Sequence, residues 1–219
     1  MNPKVAIVDY GLGNLFSINN ACEFAGLKSS ITSDKQVISE ADALILPGVG
    51  AFGDAMKSLE DSGLISSILD FIDSGKPFMG ICLGMQLLFT ESEEFGTHKG
   101  LGLIKGNIVR FPSHTADNKV VRVPQIQWNQ IYKNDEELWE KSPLKSLDDG
   151  EFMHFVHSYY AIPEDPETTL SFSHYEGIKY TSAIQKRNIT GFQYHPEKSG
   201  ESGIIVYQNW ANYIINKNY

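Results

Sequence analysis

The sequence predicts an α/β domain with a largely parallel sheet, and one local pattern that occurs three times predicts it. Val5 to Val8, Ala43 to Leu46 and Phe78 to Ile81 are short apolar runs. Each meets a glycine-bearing turn: Asp9-Tyr10-Gly11-Leu12-Gly13-Asn14, Pro47-Gly48-Val49-Gly50 and Gly80-Ile81-Cys82-Leu83-Gly84. A helical pattern follows each turn. Continuous apolar runs suit strands buried on both faces, and folds of this kind gather their sites at the carboxyl ends of the strands. All three turns are therefore expected on one edge.

Taken in order, Leu15, Ile18, Ala21, Cys22 and Ala25 predict a first helix ending at Gly26, and Ser29 to Thr32 predict a strand. Met56, Leu59, Leu64, Ile68, Leu69 and Ile72 predict a helix pair between Phe52 and Ser74, broken near Gly63. Met85 to Thr90 predict the helix after the third run. Beyond residue 100 the texture changes to short β-branched and aromatic runs, which predict antiparallel strands and hairpins. These are Gly106 to Phe111, Val120 to Val123, Gln125 to Tyr132, Glu151 to Val156, Thr168 to Phe172, Tyr180 to Gln185 and Ile189 to Tyr194. Ser202 to Asn216 predict a closing helix. With no linker, repeat or low-complexity tract, residues 1–219 are expected to form one domain.

Composition narrows the function. The 219 residues are 42% hydrophobic, enough for a sizeable core, and 18 basic against 27 acidic residues give a net charge of −9. That field repels phosphate backbones and anionic lipid, so neither nucleic acid nor membrane is expected as a partner. No run reaches the roughly 18 apolar residues of a membrane span, and Met1-Asn2-Pro3-Lys4 lacks the features of a secretory leader. Two cysteines, Cys22 and Cys82, exclude a disulfide scaffold and fit a reducing cytoplasm. Phe16 stands where a dinucleotide fingerprint needs its third glycine, and Gly48-Val49-Gly50 is not followed by Gly-Lys-Ser/Thr, so no nucleotide cofactor is expected. His154 and His157 differ by three, which in a strand puts them on opposite faces, so no metal pair is expected.

Gly80-Ile81-Cys82-Leu83-Gly84 is a cysteine version of the nucleophile elbow. Small flanking residues let a strand turn sharply into a helix, whose N-terminus favours the thiolate and presents free N–H groups to an oxyanion. Cys22 sits within an apolar helical stripe and reads as core. A thiol nucleophile needs a base and a group to orient that base. Of six histidines, His98 and His114 lie in polar stretches, and His154, His157 and His174 in strand-like segments. His195 follows a strand, precedes the proline that ends it, and has Glu197 two residues on. That carboxylate is positioned to fix the imidazole tautomer.

Together these segments resemble the class I glutamine amidotransferases, with Gly80 to Gln86 as nucleophile segment and His195-Pro196-Glu197 as its distant partner. The similarity extends to Asp9 to Asn14, Leu46-Pro47-Gly48-Val49-Gly50-Ala51-Phe52, Phe155-Val156-His157-Ser158-Tyr159-Tyr160 and Gly191 to Ser199, in order along the chain. The resemblance implies a flavodoxin-like fold: a largely parallel central sheet, helices on both faces, and a smaller antiparallel portion in the C-terminal half. It implies that Cys82 attacks the carboxamide of L-glutamine, His195 relays the proton to ammonia and Glu197 holds His195. Gly48, Val49, Gly50 and Leu83 would form the oxyanion hole, and Gln86, Glu94, Ser158 and Tyr159 would grip the glutamine. No cofactor or metal is implied.

The runs are most similar to the branch of the family that passes ammonia to a separate (β/α)8 cyclase barrel of HisF type in histidine biosynthesis. On that likeness Asn14, Gln125, Gln127, Trp128 and Lys198 are expected at the partner interface. One departure stands out: the family's Pro-His-Met-Gly-Trp-Asn run is here Pro124-Gln125-Ile126-Gln127-Trp128-Asn129. It leaves open a paralogue supplying ammonia to a surface-polysaccharide sugar enzyme. A non-catalytic binding module is the alternative of another class, and an intact Cys82, His195 and Glu197 argue against it.

Overall fold

The computed structural model describes residues 3–115 and 117–216. The first half alternates strand and helix: β1 (Lys4–Val8), α1 (Leu15–Phe24), β2 (Lys28–Thr32), α2 (Lys35–Glu40), β3 (Ala43–Leu46), α3 (Phe52–Asp61), α4 (Ile65–Asp73) and β4 (Phe78–Ile81). Next come α5 (Leu83–Gln86), β5 (Phe89–Ser92), β6 (His98–Lys99), β7 (Ile104–Arg110), β8 (Gln125–Lys133) and α6 (Glu136–Glu140). The chain finishes with β9 (Glu151–His157), β10 (Tyr159–Pro163), β11 (Thr169–Tyr175), β12 (Ile178–Lys186), β13 (Ile189–Phe192) and α7 (Gly200–Asn216).

In β1, Val5 and Ile7 enter one core and Ala6 and Val8 another, so both faces of the sheet must be covered. Ile18, Ala21 and Cys22 of α1 and Val206, Tyr207 and Trp210 of α7 cover the first face. Ile38 of α2, Ala55 and Leu59 of α3 and Ile68 and Ile72 of α4 cover the second. The parallel core runs β2-β1-β3-β4-β13, and antiparallel pairing continues it through β12, β10 and β7. A ribbon of β11, β8 and β9 branches from β12. Among the described residues thirteen strands take part, with β5 parallel to β7. No helix of the described residues is long and apolar enough to cross a membrane.

Four expectations need correcting or completing. The helix over Met85 to Thr90 is a single turn, because Leu87, Leu88 and Phe89 are all buried rather than spaced along a stripe. Their carbonyls are taken by the returning chain, with Leu101 N donating to Leu87 O at 2.8 Å and Leu103 N to Leu88 O at 2.9 Å, and Phe89–Ser92 becomes a strand beside β7. Val120 to Val123 is not a strand; Val120 is exposed and makes one isolated bridge to His114. Helix α2 has no apolar stripe to betray it. It is started by Asp34, whose carboxylate accepts from Gln36 N at 2.7 Å, and only Ile38 is buried. Strand β10 and helix α6 were likewise not legible as elements.

Because β1, β3 and β4 are parallel, their turns meet at one edge. The contact is close: a Cβ on Gly84 would lie 1.9 Å from Leu46 O, and one on Gly48 would lie 2.9 Å from Gly84 N. Gly84→Ala is therefore expected to destabilise the chain by about 2 kcal/mol or more, since backbone must move to admit it. A urea midpoint indistinguishable from wild type would contradict this packing.

Candidate active site

Strand β4 ends in a residue that the fold forces into an uncommon conformation. Cys82 has φ +53° and ψ −113°, costly for any side chain and found where surrounding structure over-determines it. Its N–H donates to Phe192 O at 2.7 Å, and its carbonyl accepts from Met85 N at 3.0 Å, so β13 and α5 fix it from both sides. Gln193, fully buried on the residue after β13, donates from Nε2 to Cys82 Sγ at 3.8 Å. The sulfur also lies 3.9 Å from Val156 O.

His195 follows β13 and opens a short 3-10 turn, Pro196–Lys198. Its backbone is held by His154 O, which accepts from His195 N at 3.0 Å, and by Ser199 Oγ, which donates to His195 O at 2.7 Å. The ring Nδ1 is 2.8 Å from Glu197 Oε1, and the Glu197 side chain is 0% exposed. Burial alone would favour neutral imidazole. The Cys82 sulfur, in both charge and hydrogen bond, and then the Glu197 carboxylate outweigh it, and His195 is pushed up to about 10. The ring therefore holds its proton near neutral pH.

A cavity of about 270 Å³ opens over Cys82 and His195, lined also by Val49, Gly50, Leu83, Gln86, Glu94, Ser158, Tyr159 and Lys198. Two larger hollows, of about 530 and 650 Å³, hold no cysteine. Gly48 lies just beneath the lining, against Leu83 and the Tyr10 hydroxyl, which donates to Pro47 O at 2.7 Å. Gly50, at φ +99°, has open space around it. Gln86 is buried and donates from Nε2 to both Tyr159 O at 3.0 Å and Gln193 Oε1 at 2.9 Å. Glu94 gives one oxygen to the first N–H of α3, at Phe52, over 2.7 Å, while burial holds its carboxyl above the ordinary range. Pro124, Val156 and His157 also line the cavity. Like Gln193, they are not legible as site residues from the sequence alone.

The expected interface residues divide. Asn14, half-buried, stands at the N-cap position of α1 without a side-chain capping bond; Lys198 is exposed at the cavity mouth; Gln127 is exposed; Trp128 is 51% exposed and lies near Gly200. Gln125 is a correction. It is 0% exposed and accepts a hydrogen bond from the Tyr180 hydroxyl at 3.0 Å, so it cannot touch a partner. His154 and His157 do alternate in burial along β9, with His157 on the core side. Cys22 is buried within the core, and burial pushes its thiol up to about 12.

A fold with a strand-end cysteine facing a histidine and glutamate is matched by one family model. The description "Glutamine amidotransferase class-I" fits residues 6–209, and the chain belongs to that family. Solved structures agree on the fold: PurLQS from Thermotoga maritima, at TM-score 0.73 and 21% identity, covers 97% of this chain and 99% of that one. A glutamine amidotransferase from the same organism, at TM-score 0.61 and 13% identity, covers 100% and 86%. Nearer in sequence are proteins named imidazole glycerol phosphate synthase subunit HisH. That of Syntrophotalea carbinolica is 43% identical over 95% of this chain and 99% of its own. That of Aquifex aeolicus is 45% identical over 94% and 95%, and that of Wolinella succinogenes 46% over 94% and 98%. Within its family the chain is of HisH type.

Proposed function

We propose that Cys82, His195 and Glu197 are the catalytic residues of a glutaminase, and that the chain works as one domain to supply ammonia within an imidazole glycerol phosphate synthase. The observation that carries this reading is the buried His195, bonded to Glu197 and charged beside Cys82, at the floor of a cavity sized for an amino acid. In this reading the Cys82 thiolate attacks the glutamine carboxamide carbon. The oxyanion meets the N–H of Leu83 and the Gly48 to Gly50 backbone. His195 gives its proton to the leaving nitrogen, ammonia departs, and a glutamyl thioester remains. Water, deprotonated by His195, then attacks the thioester, releasing glutamate and restoring the thiolate. Gln86, Glu94 and the Ser158-Tyr159 backbone hold the substrate, and no metal or cofactor takes part.

The partner is a HisF-type (β/α)8 barrel that accepts the ammonia, and the compartment is the cytoplasm. Ile126, Trp128 and Phe152, all exposed, lie on one face of the β8–β9 ribbon, where Trp128 opposes His154 and Phe152 opposes Gln130. Such an apolar patch beside the cavity mouth fits a docked subunit. Gly50 gives the oxyanion turn freedom to change its peptide orientation, so the donors can be assembled when the barrel is loaded. One misplaced donor costs about 3–4 kcal/mol, a factor of roughly 10²–10³ in rate. The chain alone is thus expected to release glutamate slowly, and the barrel with its bound acceptor to speed it by about that factor. Equal rates with and without barrel would sink the coupling, and no glutamate under either condition would sink the glutaminase.

A further inference from the structure

At the cavity wall, where His157 is part of the lining, three polar side chains meet with two hydrogen-bonding atoms left over. Gln125 and His157 are directly opposed in the β8–β9 register, and both are buried. Tyr180, with its ring centroid 5.4 Å from that of His157, donates its hydroxyl to Gln125 Oε1 at 3.0 Å. Gln125 Nε2 and His157 Nε2 are both buried without a partner among the described residues. Buried polar atoms are seldom left so.

The protons follow by elimination. His157 Nδ1 lies 2.9 Å from Tyr159 O, and a carbonyl can only accept, so Nδ1 carries the proton. Burial pushes His157 down to about 4, so its ring is neutral near pH 7 and Nε2 is a bare acceptor. Gln125 has its oxygen committed to Tyr180, so the group left for His157 is the amide NH₂. A donor faces an acceptor across one strand pair, where opposed Cβ atoms stand about 4.5–5.5 Å apart.

We propose that Gln125 is a positioning residue whose Nε2 donates to His157 Nε2, directly or through one bound water, and so fixes the tautomer that holds the Tyr159 carbonyl in place for Gln86. That carbonyl accepts from His157 Nδ1 and from Gln86 Nε2 together. In the other tautomer a lone pair would face the carbonyl, and the Ser158-Tyr159 wall would turn. The effect on substrate rests on the reading that this wall binds glutamine; the tautomer itself does not.

The test has two arms. Ring-nitrogen NMR on the full chain, with His157 assigned by comparison with His157→Asn, should show Nδ1 protonated and Nε2 hydrogen-bonded and bare. Gln125→Met, of similar length but without a donor, should mix the two tautomers. With the barrel present it should raise KM for glutamine about tenfold and change kcat less than threefold, and alkylation of Cys82 by iodoacetamide should stay within twofold. Tyr180→Phe, which keeps the amide, should shift KM in the same direction but less. A protonated Nε2 in wild type overturns the proposal, as does Gln125→Met with unchanged tautomer and KM, whatever its melting temperature. If wild type hydrolyses no glutamine, the glutaminase reading fails while the NMR arm still decides the tautomer.

Discussion

Cys82→Ser should lower glutamine hydrolysis by about 10⁴-fold or more, because serine keeps its proton where the thiol is set beside an imidazolium. The assembled synthase should still run on added ammonium salt, since in the proposed reading the acceptor chemistry lies in the other subunit. Retention of a tenth of the glutaminase rate would remove Cys82 as nucleophile. The same variant makes a second, independent statement. Burial lowers His195 and the Cys82 sulfur is the first of the groups that raise it, so His195 should titrate lower in this variant than in wild type. Stability follows with a definite sign. A histidine raised in the folded state contributes stability that is whole below the unfolded pKa of about 6.5 and is lost as pH rises through about 10. Moving from pH 7 to pH 10 should destabilise wild type more than Cys82→Ser, as read by urea midpoints.

The second large effect concerns the pair behind the nucleophile. His195→Ala should cost about 10³–10⁴ in kcat, removing the proton carrier itself. Glu197→Gln should cost roughly 10²–10⁴, less than the loss of the thiol, because an amide oxygen can still accept from Nδ1 but no longer stabilises the imidazolium. The 2.8 Å contact of two buried groups leaves little room for solvent to replace the lost charge. Assays of both variants with the barrel present check this, and wild-type rates in both would return His195 to an ordinary strand-end histidine.

What the sequence reveals follows from how local the signal is. The Cys82 elbow is legible because glycines two residues either side are needed for one sharp bend, and Gly84 does press against Leu46 O. His195 and Glu197 are legible because they flank Pro196 just past an apolar run, although the strand itself stops earlier, at Phe192. Gln193 and His157 are not legible, because their roles are made by contacts that cross the sheet: Gln193 reaches back 111 positions to Cys82, and His157 serves a wall that Gln86 shares. Gln125 was visible as a departure but not in its place, since whether it faces core or solvent is fixed by its register with β9. Helix α2 escaped because an Asp34 cap, rather than an apolar stripe, defines it. The sequence overstates the length of the turn after Cys82, because three consecutive buried residues look the same in a helix as in a closing strand.

Strand β13 lies between β4 and β12, and its continuation carries His195. A chain being synthesised from its N-terminus therefore makes Cys82 more than a hundred residues before His195, and the central slot of the sheet stays vacant until then. Helix α7 must follow, because it packs so closely on the Pro196 turn that a Cβ on Gly203 would lie 1.8 Å from Pro196 O. A chain that ends before β13 therefore lacks both His195 and the strand that fills the centre of the sheet.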